Sequence, residues 1–309
     1  MGKIAFVFPG QGAQAVGMGQ DAYEQYPASR DIFDRADRAL GFSVSGLAFQ
    51  GPDEQLRQTA NTQPALLATS IALLEAFKQR GVTPDYVAGH SLGEYSALVA
   101  AGVLAFDDAV RLVRSRGLFM EQAVPSGQGG MAAALGAERE SLEALCRDVS
   151  ASAGLVELAN VNCPGQIVVS GTAAGVAAVV ERGKEAGAKR VIPLDVSGPF
   201  HSSLMQPAAD KLAHELAKAE FRDAAVPVVV NVSAAPVTSG AALRELLVKQ
   251  VVSPVLWEDT VKFLIGEGVD TFVEIGSGTV LAGLIKKIDK TVRVVSINSA
   301  AAIAEAELA

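Results

Sequence analysis

The chain has 309 residues, half of them hydrophobic, enough to bury a large core divided between more than one domain. A formal net charge of -8 and a pI near 5.0 argue against a nucleic-acid surface, while leaving room for local basic patches that meet smaller anions. Cys146 and Cys163 make no disulfide framework and no metal-spaced cluster, and no apolar stretch approaches the ~20 residues of a membrane span, so a reducing cytoplasm is the expected compartment.

Met1-Gly2-Lys3 runs without a signal-peptide cleavage region into a first strand, Ile4-Ala5-Phe6-Val7-Phe8. The loop after it, Gly10-Gln11-Gly12-Ala13-Gln14-Ala15, scans as a Gly-x-Gly-x-x-Ala dinucleotide fingerprint. That fingerprint wants an acid about 20 residues on, at the end of a second strand. The acids available, Asp31, Asp34 and Asp37, lie in a helical stretch. A tight loop carrying Gln11 towards a site at the strand's carboxyl end is the better reading. Gln63 to Lys78 reads as a long helix with Pro64 in its first turn, ended by Gly81.

Tyr86 to Ala88 is the next strand and leads into Gly89-His90-Ser91-Leu92-Gly93, the only Gly-x-Ser-x-Gly of the chain. Glu94 to Ala101 follows with helical composition. Strand, sharp turn and helix are the context of a nucleophile elbow, which lifts one serine hydroxyl clear of the sheet. The blander alternative is an ordinary turn with a capping serine. A second helix opens at Asp107, an N-cap type of residue. At about 100° per residue, Leu112, Val113, Phe119 and Met120 fall on one half of its wheel, and Arg111, Arg114 and Glu121 on the other. Arg116 lies in the apolar half. A buried guanidinium is costly unless an anion meets it. An internal ion pair or a snorkelling side chain accounts for it, and so does the docking of a carboxylate by two parallel hydrogen bonds.

From Ser126 the texture changes. Gly130 to Leu135 reads as a strand, Glu138 to Ser150 as a helix, and Val156 to Val161 and Gln166 to Ser170 as strands joined by the turn Asn162-Cys163-Pro164-Gly165. Ala173 to Ala186 is a helix and Arg190 to Val196 a strand. The order β-α-β-β-α-β is that of a small ferredoxin-like unit, residues 126–197, inserted between residues 1–125 and 198–309 of a main unit. Cys163 reads as a turn residue rather than a nucleophile.

A serine nucleophile needs a base within hydrogen-bond reach. Of three histidines, His90 is adjacent to Ser91, and neighbours on an elbow point apart; His214 falls on the polar side of an amphipathic helix. His201, in the loop Val196-Ser197-Gly198-Pro199-Phe200-His201-Ser202, is left by elimination. Pro227 to Val232 then reads as a buried strand, Ala241 to Val251 as a helix, and Val269 to Ile275 as a strand. Gly276-Ser277-Gly278 turns into a helix, Thr279 to Ile288, and the tail after Asn298 reads as a frayed helix or disorder.

Phe8-Pro9-Gly10-Gln11-Gly12, Gly89-His90-Ser91-Leu92-Gly93-Glu94, Arg116-Gly117, Asn162 before Pro164-Gly165-Gln166, Gly198-Pro199-Phe200-His201-Ser202, and Gln250 before Pro254-Val255-Leu256-Trp257 follow in order. Over nearly its whole length the chain resembles the malonyl-CoA:acyl-carrier-protein transacylases of type II fatty acid synthesis and their polyketide-synthase relatives. The resemblance implies an α/β fold, with an α/β-hydrolase-like large subdomain interrupted by a ferredoxin-like small one. It implies that Ser91 takes the malonyl group as an ester, with His201 as general base. The backbone N–H groups of Gln11 and Leu92 would hold the oxyanion, and Arg116 the malonyl carboxylate. Gln250 would orient His201, a glutamine carbonyl fixing the imidazole tautomer without adding negative charge beside an anionic substrate. Asn162 and Phe200 would contact substrate, Phe200 resembling the malonyl-selecting form of the polyketide relatives. Ser277, where many members carry proline, and Cys163, where serine or alanine is common, depart from the pattern. The expected partners are malonyl-CoA and an acyl carrier protein docking on Lys189, Arg190, Lys286 and Lys287. The protein is expected to be a monomer that binds neither nucleic acid nor membrane and uses no cofactor beyond the coenzyme A thioester of its substrate. A serine thioesterase or esterase acting on acyl-CoA, and a catalytically silent carrier-binding protein, are the competing functions.

Overall fold

The structure, a computed structural model, describes residues 2–307. Its larger sheet has six strands in the order β10-β9-β1-β2-β7-β8: Arg293–Ile297, Val269–Ile275, Lys3–Phe8, Tyr86–Gly89, Val228–Val229 and Pro236–Val237. All are parallel except β8. The inner strands are near-continuous apolar runs because helices cover both faces. On one face lies the helix Thr59–Phe77, apolar on every side and buried along almost its whole length. On the other, Trp257, Phe272, Leu281 and Ile285 close a second core.

The smaller sheet is antiparallel, in the order β4-β5-β3-β6: Val156–Cys163, Gln166–Thr172, Gly129–Leu135 and Arg190–Pro193. The helices Arg139–Ser152 and Ala173–Arg182 pack Leu142, Cys146, Val149, Val176 and Val179 onto it as a third core. That strand order, with crossover helices on one face, is the ferredoxin-like arrangement. β4 reaches back to the main unit, where Val161 N–H donates to the Val255 carbonyl at 2.9 Å and Val255 N–H to the Ala159 carbonyl at 2.8 Å.

Several elements differ from the sequence reading, each for a local reason. The long helix starts at Thr59, so Pro64 lies inside it rather than in its first turn. Asp107 is not an N-cap: the helix Phe106–Gln122 is preceded by Ala105, and Asp107 pairs across to Arg35 at 3.0 Å. Asn162 and Cys163 belong to β4, and only Pro164 and Gly165 turn, since Cys163 still pairs with Gln166. The strand expected over 227–232 is two residues long, and β6 stops at Pro193. The tail forms a capped helix, Ala300–Glu305, with Ser299 Oγ accepting the Ala302 N–H and Ile303 buried.

Glycines decide how closely the elbow can pack. A Cβ on Gly93 would lie 2.1 Å from the Phe8 carbonyl oxygen, and one on Gly89 would lie 1.9 Å from the Gly93 carbonyl carbon. Gly283, on the exposed side of the helix Val280–Ile288, meets nothing within 4 Å. Gly93→Ala is therefore expected to destabilise by about 3 kcal/mol or more, and Gly283→Ala to stabilise by up to about 1 kcal/mol. Urea unfolding midpoints check both signs.

Candidate active site

β1 and β2 are neighbours in register, Phe8 opposite Gly89, so their carboxyl ends deliver two loops to one place. The loop after β1 brings Gln11; the turn after β2 brings Ser91, at φ 51°, in the left-handed region that an L-residue occupies only when held there. The Ser91 hydroxyl meets His201 Nε2 at 2.7 Å, from a residue 110 positions away. His201 also has positive φ, 59°. Its Nδ1 lies 2.9 Å from the backbone carbonyl of Gln250. A carbonyl only accepts, so Nδ1 carries the proton and Nε2 is the lone pair facing the serine. The backbone of Gln250, not its side chain, thus fixes the tautomer.

Burial above all, and then the neighbouring Arg116 cation, push the His201 pKa down to about 3. The imidazole is therefore neutral, with Nε2 open to accept a proton. Arg116 is 1% exposed and forms no ion pair among the described residues. Its Nη1 donates to Gln63 Oε1 at 2.8 Å, and its Nη2 to Gln250 Oε1 at 3.0 Å and to Ser91 Oγ at 3.1 Å. The Tyr95 ring lies 5.5 Å from the guanidinium carbon. Nε has no acceptor. Neither an internal ion pair nor a snorkelling side chain describes this residue: a desolvated cation rests on neutral amides, with donor capacity unspent beside the serine. Such a group favours an incoming anion.

Ser91, Arg116 and Leu92 line a cavity of about 130 Å³ whose apolar wall includes Met120, Met131 and Phe200. Gln11 lines it too. The backbone N–H groups of Gln11 and Leu92 meet no acceptor among the described residues, and Leu92 caps the helix Gly93–Ala100, whose N-terminal dipole favours a developing anion. The Gln11 side chain is turned away, its Nε2 donating to Thr59 Oγ1 at 3.0 Å.

Asn162 lies outside this cavity, in an adjoining one of about 260 Å³ lined also by Gln11, His90 and Gln166. It lies 2.8 Å from His90 Nε2, through Oδ1. Asn160 lines both cavities at their junction. The structure therefore gathers Ser91, His201, Arg116, Gln11, Leu92 and Phe200 around one space, buries Gln250 behind them and puts Asn162 next door. The sequence reading missed Gln63, Asn160 and Asn231. Gln63 is a buried amide in a helix that also holds Thr59, Asn61, Thr62, Thr69, Ser70 and Glu75, so its residue type alone does not mark it.

The chain matches the family model for the acyl transferase domain over residues 5–307. A malonyl CoA-acyl carrier protein transacylase of Bacillus subtilis (strain 168) is 56% identical over 298 residues, 96% of this chain and 94% of that one. One from Staphylococcus aureus (strain MRSA252) is 49% identical, covering 97% of this chain and 96% of its own length. Among solved structures, an acyl carrier protein S-malonyltransferase from Vibrio cholerae superposes with a TM-score of 0.95 at 45% identity, covering 98% of this chain and 99% of that one. A malonyl-transacylase in complex with its type II PKS acyl-carrier protein superposes at 0.94 with 44% identity, covering 98% of each chain.

The depressed His201 pKa has a measurable consequence. Protonation of the ring is opposed by burial and by Arg116, so its Cε1 resonance should keep its neutral position as pH falls from about 8 to about 5. A midpoint near the ordinary histidine value of ~6.5 would contradict the geometry.

Proposed function

Because this chain belongs to the acyl transferase domain family, we infer its reaction from the chemistry of its site: it transfers a malonyl group to the phosphopantetheine thiol of an acyl carrier protein, in fatty acid or polyketide biosynthesis. The observation that carries the acyl specificity is Arg116, a buried cation whose neighbours are neutral amides and the Ser91 hydroxyl. The donor is malonyl-CoA. Its free carboxylate takes the guanidinium as a partner, and this draws the thioester carbonyl towards Ser91.

Ser91 Oγ attacks that carbonyl while its proton passes to His201 Nε2. The oxyanion accepts from the Gln11 and Leu92 N–H groups. The C–S bond then breaks and His201 returns the proton to the leaving thiolate, leaving malonyl-Ser91. In the second half the carrier's thiol gives its proton to His201 and attacks the ester, and Ser91 Oγ recovers the proton as it leaves. A nucleophile, a proton shuttle and oxyanion donors suffice for this exchange, so no cofactor is proposed. Phe200 and the methionines form the apolar wall beside the acyl chain, and Asn162 contacts the pantetheine arm in the adjoining cavity.

The carrier docks where that cavity opens. Lys189 packs against Gly136, which bonds to Gly165 of the β4–β5 turn, and Lys287 Nζ donates to Gln166 Oε1 at 3.2 Å. Lys189, Arg190 and Lys287 are exposed and form no ion pair among the described residues. Lys286 is a weaker candidate because its Nζ donates to the backbone carbonyls of Lys290 and Val292. We propose a cytoplasmic monomer. No helix of the described residues is long and apolar enough to cross a membrane, and both cysteines are free and buried.

Arg116→Ala should slow malonyl loading at least about 100-fold while acetyl loading holds or rises, because the lost charge-assisted pair concerns only the free carboxylate. Mass spectrometry after incubation with each acyl-CoA reads both; equal losses would make Arg116 structural. Lys189→Glu with Arg190→Glu should raise KM for the carrier severalfold and leave KM for malonyl-CoA unchanged. Parallel rises in both would remove the proposed docking surface.

A further inference from the structure

The elbow is gripped from outside by a side chain to which the transfer chemistry assigns no role. Asn231, fully buried, follows β7. Its Oδ1 accepts the Ser91 backbone N–H at 2.8 Å, and its Nδ2 donates to the Gly89 carbonyl at 2.7 Å. One amide thereby spans the motif, holding the residue with left-handed φ and the glycine two positions before it. The backbone N–H of Asn231 donates at 2.7 Å to Glu94 Oε2, in the first turn of the helix that the elbow opens. Gln250 closes the frame from the far side, its Nε2 donating to the Ser91 carbonyl at 3.1 Å and to Asn231 Oδ1 at 3.2 Å. Both backbone polar groups of Ser91 are therefore held by side chains from residues 231 and 250.

We propose that Asn231 is a positioning residue for the nucleophile, and that the buried Glu94 carboxylate positions Asn231 in turn. A serine in the left-handed region relaxes unless its surroundings over-determine it. Glycine is excluded at this position by the need for a hydroxyl, so the constraint comes from the hydrogen bonds to the peptide groups on either side. Displacing Ser91 Oγ by ~1 Å from His201 Nε2 and the oxyanion donors costs about 100-fold in rate. Glu94 is suited to fix Asn231 because it is buried with it and its Oε2 accepts the Asn231 N–H at 2.7 Å. The charged or titratable groups facing it are Arg116 from the helix Phe106–Gln122 and Tyr95 beside it. Burial raises its carboxyl to about 7, opposed by the Asn231 N–H, Gln250 and Arg116. Its ionisation thus falls far above that of His201, at about 3. The ionised carboxylate accepts the stronger bond from Asn231, so acylation should slow as pH falls through about 7.

The inference rests on Ser91 being the acylated residue, and the test separates the two. Rapid quenching with malonyl-CoA, read by mass spectrometry, gives the fraction of acylatable protein and the rate per acylatable site. For Asn231→Ala we expect a rate per site about 100-fold lower with KM for malonyl-CoA within about threefold. Asn231→Asp keeps the acceptor for the Ser91 N–H and should recover about tenfold of that loss. Glu94→Gln, of the same shape, should abolish the fall in rate near pH 7 that the wild type shows. An unchanged rate per site in Asn231→Ala, with only the acylatable fraction or the melting temperature reduced, overturns the proposal for Asn231. A wild-type profile without that fall, or one that survives Glu94→Gln, overturns the role of Glu94, and this comparison stands even if Asn231→Ala does not fold. A wild type that never accumulates malonyl-Ser91 removes the functional reading itself.

Discussion

The site depends on one close approach of backbones. Gly93 packs against the Phe8 carbonyl and Gly89 against Gly93, at separations no Cβ allows. The elbow is thereby wedged against β1, the strand whose own end delivers Gln11. With the turn so tight, Ser91 takes a left-handed φ and its hydroxyl leaves the sheet on the side where His201 waits. The same turn starts the helix Gly93–Ala100 two residues after Ser91, so a helix N-terminus lies beside its hydroxyl. Nucleophile exposure, oxyanion donors and dipole follow from a single steric fact.

Electrostatics then divide the labour between two buried groups that sit side by side. Among the described residues Arg116 is bonded to no carboxylate, Glu94 acting on it only from a distance, and Gln63, Gln250 and the Tyr95 ring offer it oxygen lone pairs and π density. That charge and burial together keep His201 unprotonated. A carboxylate bonded to the guanidinium would have stabilised the cation and left it less able to pair with an incoming anion. Gln250 links the parts: its backbone carbonyl fixes the histidine, its side-chain oxygen accepts from Arg116, and its side-chain nitrogen holds Ser91. Neutral amides orient three functional groups here without adding a charge of their own.

The small sheet contributes the other wall. It carries its own apolar core and is tied to the main unit by the Val161–Val255 pairing, so Met131, Asn160 and Asn162 face the cavities from a separately packed support. The two adjoining cavities thus lie between residues of the large unit and residues of the small one.

Much of this was legible in the sequence where the signal is local. The strand–turn–helix around Ser91 carries its own flanks, Arg116 stands out on the apolar half of its helix, and the β-α-β-β-α-β order of residues 126–197 follows from short-range patterns. His201 came by elimination because only three histidines exist. Errors fell at ends and short elements, such as the start of the helix before Pro64 and the two-residue β7, where tertiary contacts outweigh propensity. What only the tertiary structure decided is which polar group meets which: Gln250 acting on His201 through its backbone, Asn231 clasping the elbow, Asn162 bonded to His90. Every residue carries a carbonyl, so a backbone acceptor leaves no mark in the sequence. A buried asparagine 140 residues from the serine it holds reveals its partner only once the chain has folded.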